Sequence, residues 1–266
     1  MIPLIVCCVL CTVFSLVASA QSNVPEPAKG TSRMSIGLVA GATSNTFSSS
    51  TKISADTNHG TGAVYENQSA LGWLIGVDVG LPLSTDPSWS RSLDLRLTYS
   101  TSRVDLSKTN VLLPSLDESG DTVYSTIDQS GSVSYSVLDL APSLIIRIGN
   151  TPFSVSIGGS FGLILTSTMT ESAHLVYPLN ASFDPSFCPE CEISSDGRTS
   201  VKPDSEIEGV ASVTATAFAG VEYLLALEDV EFLSTLRYRL GLTDISSTYA
   251  MRVNALELSI AMRVYL

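Results

Sequence analysis

The last eleven residues, Leu256-Glu-Leu-Ser-Ile-Ala-Met-Arg-Val-Tyr-Leu266, alternate without a break between large apolar and polar or smaller side chains. Successive side chains of an extended strand point to opposite faces. Leu256, Leu258, Ile260, Met262, Val264 and Leu266 therefore form one apolar face, and Glu257, Ser259 and Arg263 share the other. An arginine facing lipid at the bilayer midplane costs roughly 2–4 kcal/mol, so if this strand crosses a membrane its charged face must look into a lumen.

The same period of two recurs along the chain. Trp73, Ile75, Val77, Val79 and Leu81 oppose Gly72, Gly76, Asp78 and Gly80; Leu93, Leu95, Leu97 and Tyr99 oppose Asp94, Arg96 and Thr98. Leu138, Leu140, Pro142, Leu144 and Ile146 alternate with Asp139, Ser143 and Arg147, and Phe153 to Leu165 alternates in the same way. Val213 to Tyr223 and Phe232 to Leu242 follow, carrying Glu222, Glu231, Arg237 and Arg239 on their polar faces. With a first strand near Met34–Phe47 and the terminal one, the pattern predicts eight strands, each of about the 9–11 residues a spanning strand needs. Pro142 removes a ladder hydrogen bond, so a bulge or local break is expected there.

Alternation alone also fits a soluble barrel or sandwich turned inside out. The connections separate the readings. Those at Ser84–Ser90, Gly149–Thr151 and Glu228–Asp229 are short, whereas Ser48–Gln68, about Ser107–Gly131 and about Thr168–Glu208 are long and polar. Short turns on one rim and long loops on the other are the asymmetry of outer-membrane barrels. The expected fold is all-β: an eight-stranded antiparallel transmembrane β-barrel with long extracellular loops and short periplasmic turns, spanning residues 34–266.

Residues 1–20 read as a signal peptide, with an apolar run from Ile2 to Ala18 and a small-x-small site at Ala18-Ser19-Ala20. The absence of a basic residue at its start leaves an uncleaved anchor as the alternative. Residues 21–33, with Pro25, Pro27 and Gly30, form a flexible periplasmic lead-in. A net charge of -12 argues against nucleic acid as a partner. Three of the five cysteines, Cys7, Cys8 and Cys11, leave with the leader, and no lipidation is expected at them.

Gly220-Val-Glu-Tyr223, Leu236-Arg-Tyr-Arg-Leu-Gly-Leu-Thr-Asp-Ile245, Asn254 and the alternating end resemble the small outer-membrane β-barrel family common in Bacteroidetes and related phyla. Tyr135-Ser-Val-Leu-Asp-Leu-Ala-Pro-Ser-Leu-Ile-Ile-Arg147 resembles the fourth strand of that family. The likeness runs from about Met34 to Leu266. It implies an OmpA-like, PorT-like barrel, some members of which serve in protein secretion or gliding, and it transfers no catalytic residue. The chain departs from the family in ending on Leu266 where an aromatic residue is usual, although Tyr265 precedes it.

By parity, Asp78, Asp94, Arg96, Asp139, Arg147, Glu222, Glu231, Arg237, Arg239, Glu257 and Arg263 all fall on the inner face. An eight-stranded lumen is just filled by side chains and buried charges must pair, so a structural ion-pair plug is expected, with a gated ion path as the alternative. Cys188-Pro-Glu-Cys191 lies in the longest loop. A local disulfide is the expectation, against a redox or metal role for which neither a βα context nor a second pair exists. His59 and His174 are the only histidines, and in Ser-rich loops their neighbours carry almost no information about a catalytic triad. Asn67-Gln-Ser69 and Asn180-Ala-Ser182 match the glycosylation pattern by chance.

Neither catalytic, cofactor-binding nor metal residues are therefore expected. The partners implied are outer-membrane lipid and lipopolysaccharide, the barrel-assembly machinery and envelope proteins. Three functions stay open: a structural or adhesive surface protein, an accessory subunit of a secretion or envelope machine, and a rim-site enzyme.

Overall fold

The computed structural model of the chain describes residues 34–49, 68–83, 91–116, 122–149, 151–183, 189–207, 209–227, 230–247 and 251–266. The expected leader and lead-in, His59, Cys188 and the turns at 84–90 and 228–229 lie outside the described residues.

Among the described residues ten strands form one antiparallel sheet: β1 (Ser35–Ser49), β2 (Gln68–Pro82), β3 (Arg91–Leu116), β4 (Thr122–Arg147), β5 (Phe153–Tyr177), β6 (Glu192–Ile193), β7 (Thr199–Glu206), β8 (Val213–Leu227), β9 (Val230–Gly241) and β10 (Met251–Tyr265). Eight of them close into a ring. Consecutive strands pair from β1 to β5, β5 pairs with β8, β8 with β9 and β9 with β10, and the ring shuts where Ser35–Ser49 lies against Met251–Tyr265 in a ladder without a break. Closure leaves the spanning wall without an edge, the condition for backbone in hydrocarbon, where no water can satisfy an open N–H or C=O.

The lipid belt is written on the outward residues. On β2 the exposed series runs Leu71, Trp73, Ile75, Val77 and Leu81. That is roughly 33 Å along the strand at about 3.3 Å per residue, and a tilt of about 40° reduces it to roughly the 25 Å height of such a belt. Aromatic pairs sit near both margins: Trp73 against Tyr99 with centroids 5.6 Å apart at one, Phe153 against Tyr223 at 5.2 Å at the other. Their amphipathic or flat rings suit the lipid–water boundary.

Pro142 is accommodated by a break rather than a bulge. The β4–β5 register is the same on both sides of it, Leu140↔Phe161 and Ser143↔Gly158, with the rungs between left unpaired, while its pairing toward β3 with Leu95 persists. At the periplasmic turn after β4, Gly149 takes a φ of 55° that a side chain would strain, and Thr151 returns both its N–H and its hydroxyl to the Ile148 carbonyl.

Two of the expected long loops are instead largely strand. The connection read as Ser107–Gly131 contains the continuation of β3 to Leu116 and of β4 from Thr122, and that read as Thr168–Glu208 contains the end of β5 together with β6 and β7. From Arg103 to Leu116, β3 rises roughly 45 Å along its length beyond the belt at about 3.3 Å per residue. The wall inverts its polarity there. In the membrane Leu93, Leu95 and Leu97 face out and Asp94 and Arg96 face in; above it Arg103 and Asp105 are exposed while Val104 and Leu106 are buried. On β5 a bulge performs the same inversion, because Val137 pairs with Ile164 and Ser136 with Thr166, leaving Leu165 as an extra residue. Phe161, Leu163 and Leu165 face lipid, yet Met169 and Leu175, of the same parity, are buried inside.

These inner residues close the extracellular end. Val104, Leu106, Val133 and Met169 meet Phe47, Ala70 and Met251 from the barrel rim and Ile207 and Ile245 from the connections after β7 and β9, forming one apolar cluster over the lumen. Phe47 meets Tyr135 edge-to-face at 5.7 Å. Single bridges Val210↔Ser246 and Ser246↔Met251 tie the two connections down.

Candidate functional site

Beneath the cap the strands aim their charges into a common interior. Asp94, Arg263, Asp78, Arg96, Glu257, Arg239 and Asp139 form one continuous chain that crosses between β3, β10, β2, β9 and β4. Arg263 donates to Asp78 from Nε (3.2 Å to Oδ1, 3.1 Å to Oδ2) and from Nη2 (2.7 Å), and Nη2 also donates to Asp94. Arg96 stands 3.6 Å from Asp78 and donates to Glu257 at 3.0 Å and Ser259 at 3.1 Å. Arg239 donates to Asp139 at 2.6 Å and Ser160 at 2.8 Å, and lies 3.7 Å from Glu257. Arg237 pairs separately with Glu222 at 2.8 Å, its guanidinium 4.9 Å from the Phe218 ring centroid.

Every member of the chain is buried or nearly so, Asp78 at 0 % exposure. Buried guanidiniums suit this role because a rigid fork of five donors can satisfy two carboxylates at once. Room for them comes from the inner-face glycines. A Cβ on Gly37 would sit 2.7 Å from Cγ of Arg263, and one on Gly220 2.6 Å from Cγ of Arg237, so the long side chains lie flat over residues that have none.

Two of the eleven lumenal charges stand apart from the arginine–carboxylate pairing. Glu231 accepts from the hydroxyl of Tyr265, and Arg147, half-buried at the periplasmic end of β4, has no ion pair among the described residues. The partners Ser160, Ser259 and Tyr265 share the parity of the charges and were legible on that ground. Phe218 was not, being a lone large apolar residue on a polar face.

Between the ion pairs and the apolar cap lies a cavity of about 60 Å³, lined by Thr43, Asn45, Ser102, Thr214 and Thr216 and floored by the Asp139–Arg239 pair. Asn45 donates to Thr43 at 3.0 Å and to Ser102 at 2.7 Å. A space of this size has room for a few waters. Charged layer, small chamber and apolar cap thus stand in series across the lumen.

Outside, the raised part of β3, β4 and β5, extended by β7 and β6, is a platform above the membrane. Arg198 locks its far end, donating to the carbonyls of Leu175 (2.5 Å), Val176 (3.3 Å), Pro178 (3.1 Å), Leu179 (2.6 Å) and Ala181 (3.3 Å). Its backbone N–H and the Ser194 hydroxyl both bind Asp196, whose carboxyl the Ser194 hydrogen bond holds below the usual aspartate value. Cys191 is disulfide-bonded. His174 shares a hydrogen bond between Nδ1 and the Thr199 hydroxyl at 3.0 Å. No sequence signal marked Arg198, because a guanidinium that binds main-chain carbonyls leaves no pattern in side-chain spacing.

A closed eight-stranded ring with lipid-facing apolar residues, a charged interior and a raised extracellular sheet defines an outer-membrane β-barrel protein. The model of the outer membrane protein beta-barrel domain family matches residues 19–247, and the chain belongs to that family. It resides in the outer membrane, in contact with membrane lipid and lipopolysaccharide. No curated protein matches the sequence. Among solved structures the chain is similar to Ail, the attachment invasion locus protein of Yersinia pestis, at 10% identity over 87% of this chain and 99% of that one, with a TM-score of 0.33. It is similar also to Neisserial surface protein A, at 14% identity over 87% and 97% and a TM-score of 0.30, and to the outer membrane protease OmpT from Escherichia coli, at 9% over 88% and 97% and 0.33.

Proposed function

We propose that the chain is a non-enzymatic surface protein whose role is binding through the β3–β4–β5–β7 platform, with the barrel as its closed, non-conducting anchor. The observation that carries this reading is the continuation of three wall strands far above the belt as a paired sheet with an apolar inner face and an outer one that is polar apart from exposed Leu112, Tyr124 and Tyr177. Ordering that much backbone costs about 1–2 kcal/mol per residue, and a passive connector has no need of it. The filled lumen and its cap favour display over transport. The engagement of His174 with Thr199 supports a structural place for that histidine.

The test is to replace residues 105–129 and 170–206 with short turns. The shortened protein is expected to remain folded and heat-modifiable on gels while cells that display it lose adhesion to matrix proteins or other cells. Unchanged adhesion would refute the assignment to the platform.

A second reading is favoured by the likeness of Tyr135–Arg147 and Leu236–Ile245 to the Bacteroidetes, PorT-like barrels: an accessory subunit of a secretion or envelope machine. Stoichiometric co-purification of envelope proteins other than the barrel-assembly machinery in mild detergent would select it over adhesion.

A further inference from the structure

The outer face of the platform is polar near the membrane and turns apolar at its top. One row of the ladder across β3, β4 and β5 carries Leu112, Thr126 and Tyr177, and the next row toward the β3–β4 tip carries Pro114 and Tyr124. Their strand neighbours Ser125, Ile127 and Leu175 are buried, which turns these rows outward: Leu112 is 65 %, Tyr124 63 % and Tyr177 62 % exposed. At an inter-strand spacing of about 4.8 Å, Leu112 and Tyr177 stand roughly 10 Å apart, with Tyr124 roughly 7 Å along β4 from the Thr126 between them. A register shift leaves Val176 as an extra residue beside Tyr177, and it too is exposed, as is Leu179 in the turn beyond.

Lipid does not cover this patch. Between the Arg103↔Ser134 row and the Leu112↔Thr126 row β4 climbs roughly 26 Å along its length at about 3.3 Å per residue, and the outer face in between carries Asp105, Ser107, Asp128, Ser130 and Ser132. An apolar patch standing in water on a rigid, paired sheet, with tyrosines at its centre, has the composition of a protein-binding surface. The charge around it selects the partner. Residues 103–129 and 168–206 hold twelve acidic side chains against four basic ones, so they account for eight of the chain's net charge of -12. Arg103 is spent on Asp105, Lys202 on Glu190 and Arg198 on main-chain carbonyls, while Asp128 borders the patch one row below it. A second copy of the platform would bring the same negative charge and be repelled.

We propose that, with the platform as the binding surface, this patch is the docking site of a cationic protein, which lays an apolar side chain among Leu112, Tyr124 and Tyr177 and flanks it with lysines or arginines. The apolar anchor supplies most of the affinity. The flanking charges speed the encounter and exclude acidic partners.

The test pans the full mature chain in lipid nanodiscs against a random peptide library displayed on phage, with empty nanodiscs removing the peptides that bind lipid. The selected sequences are expected to share a large apolar residue flanked by Lys or Arg. Synthetic peptides carrying that pattern should bind the double variant Leu112→Ser with Tyr177→Ser about tenfold or more weakly, and should bind the wild type more weakly as salt rises. Tyr177→Phe should keep the binding, and the gel shift between boiled and unboiled double variant should show an intact barrel. No enrichment over empty nanodiscs, an acidic or purely polar consensus, or peptides that bind the double variant as tightly as the wild type would overturn the proposal. Tyrosine-dependent binding of neutral oligosaccharides on a glycan array, without a cationic peptide consensus, would overturn it in favour of a sugar site. The platform reading fails separately: adhesion that survives removal of the platform refutes that reading, whereas adhesion lost on its removal but kept by the double variant refutes only the docking site.

Discussion

Replacing Arg263 by Met should be among the most damaging single changes in the barrel. Among the described residues its guanidinium is the sole arginine bonded to Asp94 and the nearer of two to Asp78, whose other partner, Arg96, stands 3.6 Å away. Methionine keeps most of the side-chain volume, so the expected cost is electrostatic rather than a cavity. Breaking a buried pair by removing one partner costs about 3–5 kcal/mol, since it strands a charge without solvent, and here two carboxylates are affected. The triple change Arg263→Met with Asp78→Asn and Asp94→Asn removes the stranded charges as well. It should recover most of the loss, and replacing whole buried ion clusters by neutral groups is often neutral or stabilising by about 1–4 kcal/mol. The assay is reversible urea unfolding in lipid vesicles, followed by tryptophan fluorescence and by the gel shift between boiled and unboiled samples. A loss below about 1 kcal/mol for the single change, or a triple variant weaker than the single one, would refute the account of the lumen as a set of mutually dependent charges, because surface-like pairs alone contribute so little.

Ile75 faces lipid near the middle of the belt, so Ile75→Arg should destabilise by roughly 2–4 kcal/mol in the same assay, whereas Ser107→Arg, exposed above the belt, should be neutral. Met251→Ala opens the apolar cap beneath a fully buried side chain and should cost about 2–5 kcal/mol, read as loss of protease resistance of the connections after β7 and β9. Arg198→Ala frees five carbonyls and should speed amide exchange and proteolysis around 175–183 while leaving the unfolding of the barrel unchanged. The Ser194 hydroxyl and the Arg198 N–H favour ionised Asp196. The folded value being depressed, the turn should be fully ordered above the ordinary aspartate value of about 4 and loosen only as pH falls through its lower folded value, a loss visible in the amide resonances of Gly197 and Arg198.

The sequence by itself determined the wall. A period of two assigns each residue of a spanning strand to one of two faces, and lipid tolerates no charge on the face it covers at the midplane. The facing of Asp78, Arg96, Glu257 and Arg263 therefore followed from parity, as did the ring of eight. Above the membrane that logic failed. Leu165 sits at a bulge that swaps the face of the residues after it up to Leu175, so Met169 and Leu175 continued a lipid-facing series by count while pointing inward. The Ser- and Thr-rich outer face of the raised strands also looked like loop, because water, unlike lipid, demands no apolar residue there. Only the tertiary structure decided which charges meet: the link from Arg263 to Asp94 spans 169 positions, and each guanidinium could reach several carboxylates across a narrow lumen. Arg198 depends on the tertiary structure even more completely, since carbonyls are carried by every residue and become a site only when the fold turns five of them toward one side chain.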